Sequence, residues 1–220
     1  MPGVLTWNDA GTRLYETGVD HGVLYIPNVT GEYDTGVAWN GLISVTESPS
    51  GAEPTALYAD NIKYISLFSA EEFSATIEAY TYPDEFAVCD GLATPEPGVY
   101  VGQQARKMFG LSYRSKLGND VESDEFGYKL HLVYGCMASP SERAYNTQND
   151  SPEAITFSWA ISTTPAIVSG MRPTSLIVIS TETADPIKLL ALEALLYGAV
   201  ATEPSLPSPD EVITLMHEGV

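Results

Sequence analysis

Apolar and polar residues alternate with a period of two in several separate stretches, and this pattern constrains the fold more than any other feature of the sequence. The stretches cover residues 73–79, 109–113, 128–136 and 155–161. Alternation of this kind places apolar side chains on one face of an extended strand and polar side chains on the other. Further strands are predicted by shorter apolar runs at residues 37–45, Ile62–Phe68 and Leu176–Ser180. The chain is therefore predicted to be mainly β.

One helix is clearly marked towards the C-terminus. Asp185 is suited to cap it, Pro186 to its first turn and Gly198 to its end. Its predicted apolar stripe contains Ile187, Leu190, Ala191, Ala194 and Leu195, widened by Leu189, Leu192 and Leu196. We expect sheet or a neighbouring copy to cover most of this helix.

The last residues predict a separate helical segment. Ser208 and Glu211 have the spacing of a capping box, with Pro209 in the first position. Residues 202–207, rich in Pro and Ser, predict a linker or hinge. A short helix is also predicted near residues 83–89. We place the main domain at residues 1–200 and a linker with a short C-terminal helix at 201–220.

The charge of the chain excludes several classes of partner. Ten Lys and Arg residues stand against 29 Asp and Glu residues, for a net charge of −19. Such a surface does not attract nucleic acid or an anionic membrane, because both bind through cations. No secretory signal is expected from Met1–Val4, and Cys89 and Cys136 lack the spacing of a metal or redox pair. They are predicted to be buried free thiols in a reducing compartment.

Catalytic motifs are not found in the sequence, and we predict that the chain is not an enzyme. It has no nucleophile elbow, nucleotide-binding glycine motif or zinc-protease motif, and His21, His131 and His217 are its only histidines. Glu71 and Glu72 are adjacent, so on a strand they point to opposite faces and make a poor glycosidase pair. No cofactor or metal is predicted. An irregular cation site in the acidic loop 120–125 stays an open alternative.

Six longer strings, in order along the chain, resemble the major tail proteins of bacteriophages with long, non-contractile tails. They occupy residues 39–53, 57–60, 70–73, 77–86, 127–135 and 149–159. The first reads WNGLISVTESPSGAE, the fourth IEAYTYPDEF and the last NDSPEAITFSW. The resemblance covers roughly residues 15–200. It is weaker after Gly198.

The resemblance implies a fold, a function and a set of partners. It implies a β-sandwich or barrel with a flanking helix, which assembles as stacked hexameric rings into a tube that conducts DNA from the phage head to the host. An extended loop or hairpin reaches from one ring to the next. The partners implied are further copies of the chain, other tail proteins such as the tape measure, tail terminator and tail tip, and DNA as a non-adhering cargo. The location implied is the virion tail, after assembly in the host cytoplasm.

Specific residues follow as candidates for these roles. Glu78, on the polar side of its strand, is the candidate for the lumen wall. Two segments are candidates for the connection between rings, residues 46–60 and residues 117–127, and the sequence does not choose between them. The candidate ring-stacking residues are Glu47, Ser48, Glu53, Asn119, Asp120 and Glu122. The link at 117–127 is long for a hairpin and is expected to project.

Two other functions are kept as alternatives. The first is a head–tail joining or capsid-decorating protein, which would form single rings or cap a particle rather than elongate into tubes. The second, from another class, is an acidic hydrolase of the cell wall using carboxylates such as Glu71 or Glu78.

Overall fold

A computed structural model of the chain describes residues 4–148, 150 and 153–217. Within these residues the protein is mainly β, as the alternation predicts, with two short α-helices. Three residues of the resemblance string at 149–159, namely Asn149, Ser151 and Pro152, lie outside the described residues, as do the last three of the predicted C-terminal segment. Neither described helix is long and apolar enough to cross a membrane.

The strands, in chain order, are β1 (Tyr15–Tyr25), β2 (Gly36–Ala38), β3 (Leu42–Glu47), β4 (Ser50–Gly51), β5 (Pro54–Ala59), β6 (Ile62–Phe68), β7 (Glu71–Glu72), β8 (Ser74–Ala79), β9 (Ala93–Glu96), β10 (Val99–Val101), β11 (Phe109–Asn119), β12 (Ser123–Ala138), β13 (Phe157–Thr163) and β14 (Leu176–Ser180). The helices are α1 (Pro186–Leu196) and α2 (Pro209–His217), and a 3₁₀ helix spans Asp84–Val88.

Eight strands form one antiparallel sheet. Their order is β2-β1-β11-β12-β13-β8-β3, and β14 pairs with β12 beside this path. The Trp39 amide donates to the Gly22 carbonyl at 2.8 Å, and the Leu42 side chain packs close to Gly22. These contacts bring the β3 end of the sheet next to β1, so the sheet curls around a core.

The curled sheet packs against one core on each face. Trp39, Phe86, Phe109 and Trp159 lie in the core on the inner face, where the 3₁₀ helix closes the space. A second core on the other face is filled by α1 and α2 against side chains of β1 and β12. It contains Tyr25, Leu130, Leu132, Tyr134, Leu189, Leu192, Leu196, Leu206 and Val212. The alternation of β12 therefore serves two cores.

Gly135 allows β12 to serve both parts of the sheet. Its φ is +63°, and a Cβ there would lie 2.2 Å from the Thr164 carbonyl oxygen. A side chain is excluded at this close approach, and the strand bends. One edge of β12 pairs with β11 on both sides of Gly135, whereas the other edge pairs with β14 before Gly135 and with β13 after it.

Several sequence predictions need correction. Residues 37–45 are two strands, β2 and β3, because a turn at Gly41, with φ +76°, separates them. The buried residues of α1 are Leu189, Leu192 and Leu196. Ile187 and Leu190 of the predicted stripe are exposed. The helix is apolar on more than one side, and the sheet covers the leucine side.

The predicted N-terminal caps of the two C-terminal helices are confirmed, and the predicted linker is well packed. Asp185 accepts hydrogen bonds from the amides that follow it, and Ser208 and Glu211 form the capping box. The segment 202–207 packs against the main body. Leu206 is buried, and the Pro204 carbonyl accepts a 2.8 Å hydrogen bond from Gly36.

Candidate functional site

A hairpin built from β5 and β6, residues 54–68, stands apart from the main sheet, and we call it the hairpin arm. Its strands pair only with each other among the described strands. Asp60 and Asn61 at its tip have φ values of +51° and +63°, which is the turn geometry that matches the twist of a two-residue hairpin. With six residues in β5, the paired part extends roughly 20 Å at about 3.3 Å per residue.

Both faces of the hairpin arm are apolar and exposed. The register pairs Leu57 with Ile65, so these residues and Leu67 lie on one face. Phe68 pairs with Pro54 on the other face and is 70% exposed. Nearer the tip, large apolar side chains are also exposed at Tyr58, Ile62 and Tyr64. The described part of its own chain therefore leaves both sides of the arm uncovered.

Glu47, at the end of β3 and ahead of the arm in the chain, is bonded to the core. Its Oε1 atom accepts a 2.6 Å hydrogen bond from the hydroxyl of buried Tyr113. The same atom lies 3.1 Å from Nδ1 of His131, at an angle that does not make a hydrogen bond. Burial lowers the pKa of His131, although the carboxylates of Glu47 and Glu16 act in the opposite direction. Glu47 is thus hydrogen-bonded within its own chain, although it remains exposed.

The structure brings together a serine, a histidine and a carboxylate, as in the triad of serine hydrolases. These residues are Ser115, His131 and Glu47, and the sequence does not predict their grouping. Ser115 Oγ lies 3.0 Å from Nε2 of His131. Serine catalysis also needs backbone N–H groups aimed at a developing oxyanion. Ser115 lies in the middle of β11, opposite Val19 of β1 and Lys129 of β12. The N–H groups around it belong to those ladders, so we assign the cluster to holding strands together.

The second candidate connector, residues 117–127, is not the projecting loop that was predicted. The β11–β12 ladder continues until Asn119 faces Ser123. Buried Asn119 accepts a 2.9 Å hydrogen bond from the amide of Val121, within the turn. Asp120 accepts hydrogen bonds from the amide of Gly11 and the guanidinium of Arg13. The N-terminal segment therefore packs against this turn.

The remaining candidate residues for ring stacking occupy different places. Ser48 is exposed, and its backbone continues the β3–β8 pairing through a 2.8 Å bond from its amide to the Ser74 carbonyl. Glu53 is exposed at the base of the hairpin arm, and Glu122 is exposed in the β11–β12 turn. The structure therefore does not gather the six candidates into one surface.

Glu78 lies on a polar sheet surface made by three adjacent strands, which we call the polar face. Cross-strand pairing sets Glu78 between Ser44 and Ser158, and Ser44 Oγ donates to Glu78 Oε2 at 3.0 Å. The residues of the polar face are Ser44 and Thr46 of β3, Ser74, Thr76 and Glu78 of β8, and Ser158, Ala160 and Ser162 of β13. Glu78 is the one charged residue in this set.

No metal centre was found in the part of the chain that the structure describes, where His, Cys, Asp and Glu side chains form no group of three or more suited to a metal ion. Cys89 and Cys136 are buried free thiols, and burial raises the pKa of each. The buried carboxylate of Asp90 pairs with Arg106 at 3.1 Å and with Arg143. This ion pair ties together loops at one end of the inner core.

The sequence predicts only one of the two strands of the hairpin arm. Residues 62–68 are predicted as a strand, whereas residues 46–60 are predicted as a connecting segment. An Asp60-Asn61 turn between two β-rich runs is a hairpin signal that could have identified it. Comparison of the sequence with models of known protein families and with curated proteins gives no match.

Proposed function

We propose that this chain is a structural virion protein that assembles as stacked rings to form the tail tube of a long-tailed, non-contractile bacteriophage. The observation that carries the proposal is the hairpin arm, which is apolar on both faces and uncovered by the described part of its own chain. The resemblance of the sequence to major tail proteins indicates that this assembly is a tube of stacked rings.

The exposed arm is a physical argument for assembly. Exposed apolar patches beyond a few hundred Å² mark interaction surfaces in soluble proteins. An isolated two-stranded hairpin is at best marginally stable in water. Full burial of each large apolar side chain contributes about 1.5–3 kcal/mol. Other copies covering Tyr58, Tyr64 and Phe68 would stabilise both the arm and the assembly.

A contact between the arm of one copy and a different surface of the next copy favours a polymer. An arm on one copy that docks on a different surface of the next copy is a heterologous contact, which leaves a free arm and a free docking surface at the two ends. Such contacts along an axis give stacked rings. At the ends of the stack, the proposed partners are other tail proteins, such as the tape measure, terminator and tip.

The polar face is suited to the wall of a DNA conduit. Its hydroxyl groups are uncharged, and its one charge, Glu78, is negative. Binding to DNA depends on cations that neutralise phosphates. A wall without cations gives DNA nothing to bind, so DNA would pass as cargo.

Electron microscopy of the purified chain tests the proposal, alone and with tail assembly partners. The expected result is rings or tubes. A variant in which a short Gly-Ser loop replaces residues 54–68 should stay folded, since the arm is not part of either core, but should not form tubes. A matched control replaces Asp120 and Glu122 in the other hairpin turn and should still form tubes.

Each alternative has its own outcome in these experiments. Particles that stop at a single ring would favour a head–tail joining or decorating protein. Peptidoglycan cleavage that is lost in Glu71→Gln or Glu78→Gln would favour the hydrolase. Monomers under every assembly condition would contradict the proposed function.

A further inference from the structure

A groove opens where the C-terminal helices meet the loop that follows β1. It encloses about 800 Å³ between α2, the end of α1 and residues 31–34. This volume lies within the range of about 300–1,000 Å³ that is typical of sites enclosing a ligand. The apolar residues lining it include Tyr134, Ala166, Leu195, Leu206 and Leu215.

The rim of the groove carries three carboxylates, from Glu32, Asp34 and Glu211. Glu32 accepts a hydrogen bond from the Thr30 hydroxyl at 3.0 Å, and Asp34 accepts one from the Asn28 side-chain amide at 3.0 Å. Their described partners are neutral, and none of the three belongs to an ion pair among the described residues. The groove therefore combines an apolar floor with negative charge that no ion pair among the described residues neutralises.

The hairpin arm has the complementary chemistry. Its residues 54–68 contain one cation, Lys63, and one acid, Asp60. Lys63 pairs across the hairpin with Tyr58, one step from the turn, and Ile62 and Tyr64 flank it. All four side chains are exposed. The tip is thus an apolar surface with one ammonium group.

We propose that the groove receives the tip of the hairpin arm from a second copy of the chain, with Lys63 set among the carboxylates of Glu32, Asp34 and Glu211. This inference rests on the proposed function, because it names the surface on which the arm docks. Both surfaces belong to the same chain, so one kind of contact serves every copy in a stack. Opposite charges at the rim would fix the register of the arm, while its aromatic and aliphatic side chains cover the apolar floor.

Charge reversal tests the pairing. Lys63→Glu should lose tubes while leaving the fold intact, and the double variant Glu32→Lys, Asp34→Lys should do the same. Glu211 is left unchanged because it caps α2. Combining the three substitutions should restore tubes. Tube yield is measured by electron microscopy and sedimentation over a salt series, with Glu182→Lys, an exposed acid away from the groove, as the charge control.

Disulfide trapping gives a second measurement that does not require long tubes. One population carries Lys63→Cys and the other carries Asp34→Cys, and the two are mixed under oxidising conditions. The proposal expects a disulfide-linked dimer containing one chain of each kind, visible on a non-reducing gel. Lys63→Cys mixed with Glu182→Cys is the control, and it should yield no such dimer.

The outcomes separate this proposal from the function on which it rests. If Lys63→Glu blocks stacking while the groove variant forms normal tubes, the groove assignment is overturned and the tube function stands. Failure of the triple variant to restore tubes, together with absence of the mixed disulfide, also overturns it. Monomers of the unaltered chain under all conditions would overturn both.

Discussion

The Tyr113 hydroxyl donates a 2.6 Å hydrogen bond to Glu47 Oε1, and this bond joins the end of β3 to the inner core. Tyr113 is buried in β11, whereas Glu47 is the last residue of β3. The bond therefore holds the end of β3, after which the chain continues through β4 to the arm. The ring of His131 stacks on the ring of Tyr113, with 4.6 Å between the ring centroids.

Removing the Tyr113 hydroxyl should weaken this attachment. We expect Tyr113→Phe to lower the free energy of unfolding by about 1–2 kcal/mol, because a hydrogen bond to a carboxylate is lost in a partly buried setting. Urea denaturation followed by fluorescence measures the change. Tyr58→Phe, which alters an exposed ring on the arm, is the matched control and should leave the stability unchanged. Equal stability of both variants would show that the bond contributes nothing.

Protonation of His131 should reduce stability at mildly acidic pH. Burial lowers its pKa in the folded chain from the ordinary 6.5, so the unfolded chain binds the proton more readily. The stability contributed by neutral His131 is present above about pH 6.5 and is lost as the pH falls from there through the folded pKa. The groups facing the ring are Glu16, Glu47, Tyr113, Ser115 and Lys129.

The measurement for His131 is a difference between two proteins. Unfolding of the unaltered chain and of His131→Gln is followed from pH 7.5 to pH 5, so that titration of the many other carboxylates cancels. The unaltered chain should lose stability more steeply with falling pH than the variant. Parallel curves would mean that the histidine titrates alike in the folded and unfolded states.

Trp159 should contribute much of the stability of the inner core. Its side chain is fully buried and packs against Trp39, Tyr82 and Phe86. Trp159→Ala should cost about 3–5 kcal/mol, because it removes a large apolar side chain and leaves a cavity. Trp7→Ala is the matched control, since Trp7 is 75% exposed, and its cost should stay under about 0.5 kcal/mol. Thermal unfolding compares them.

Reversal of the one charge on the polar face should make DNA adhere to the proposed conduit. Glu78→Lys should still form tubes, because Glu78 is only half-buried and makes one side-chain hydrogen bond. A lysine there offers a cation to phosphate, so DNA release from assembled virions should slow, most at low salt. Glu78→Gln removes the charge without adding a cation and should behave like the unaltered chain. Normal ejection by Glu78→Lys would remove Glu78 from the lumen.

The class of the fold was readable from the sequence because the signals are local. Alternation along residues 128–136 reports which side chains can share a face, and the caps at Asp185 and Ser208 act within one helical turn. The extent of each element was less accessible. Strand β11 continues to Asn119 because β1 and β12 supply hydrogen-bond partners for its backbone. The side chains in the range 114–118 do not predict this extension.

The placement of the candidate residues was decided by tertiary structure. Glu47 was predicted to lie in a connecting segment, but it accepts a hydrogen bond from Tyr113, which is distant in sequence. The buried side of α1 runs through Leu189 and Leu192 rather than Ile187, although all three are equally apolar. A helix that is apolar all round contains no local information on which side the sheet will cover.

The sequence by itself determined that this chain is mainly β and acidic and that it ends in capped helices, since these properties depend on neighbours along the chain. Only the tertiary structure decided that residues 54–68 leave the body as an arm, that residues 117–127 close as a hairpin, and that α2 and residues 31–34 frame a groove. These features depend on which strands find partners and which side chains stay uncovered. Pairing and burial are settled between residues far apart in sequence, and local patterns do not record them.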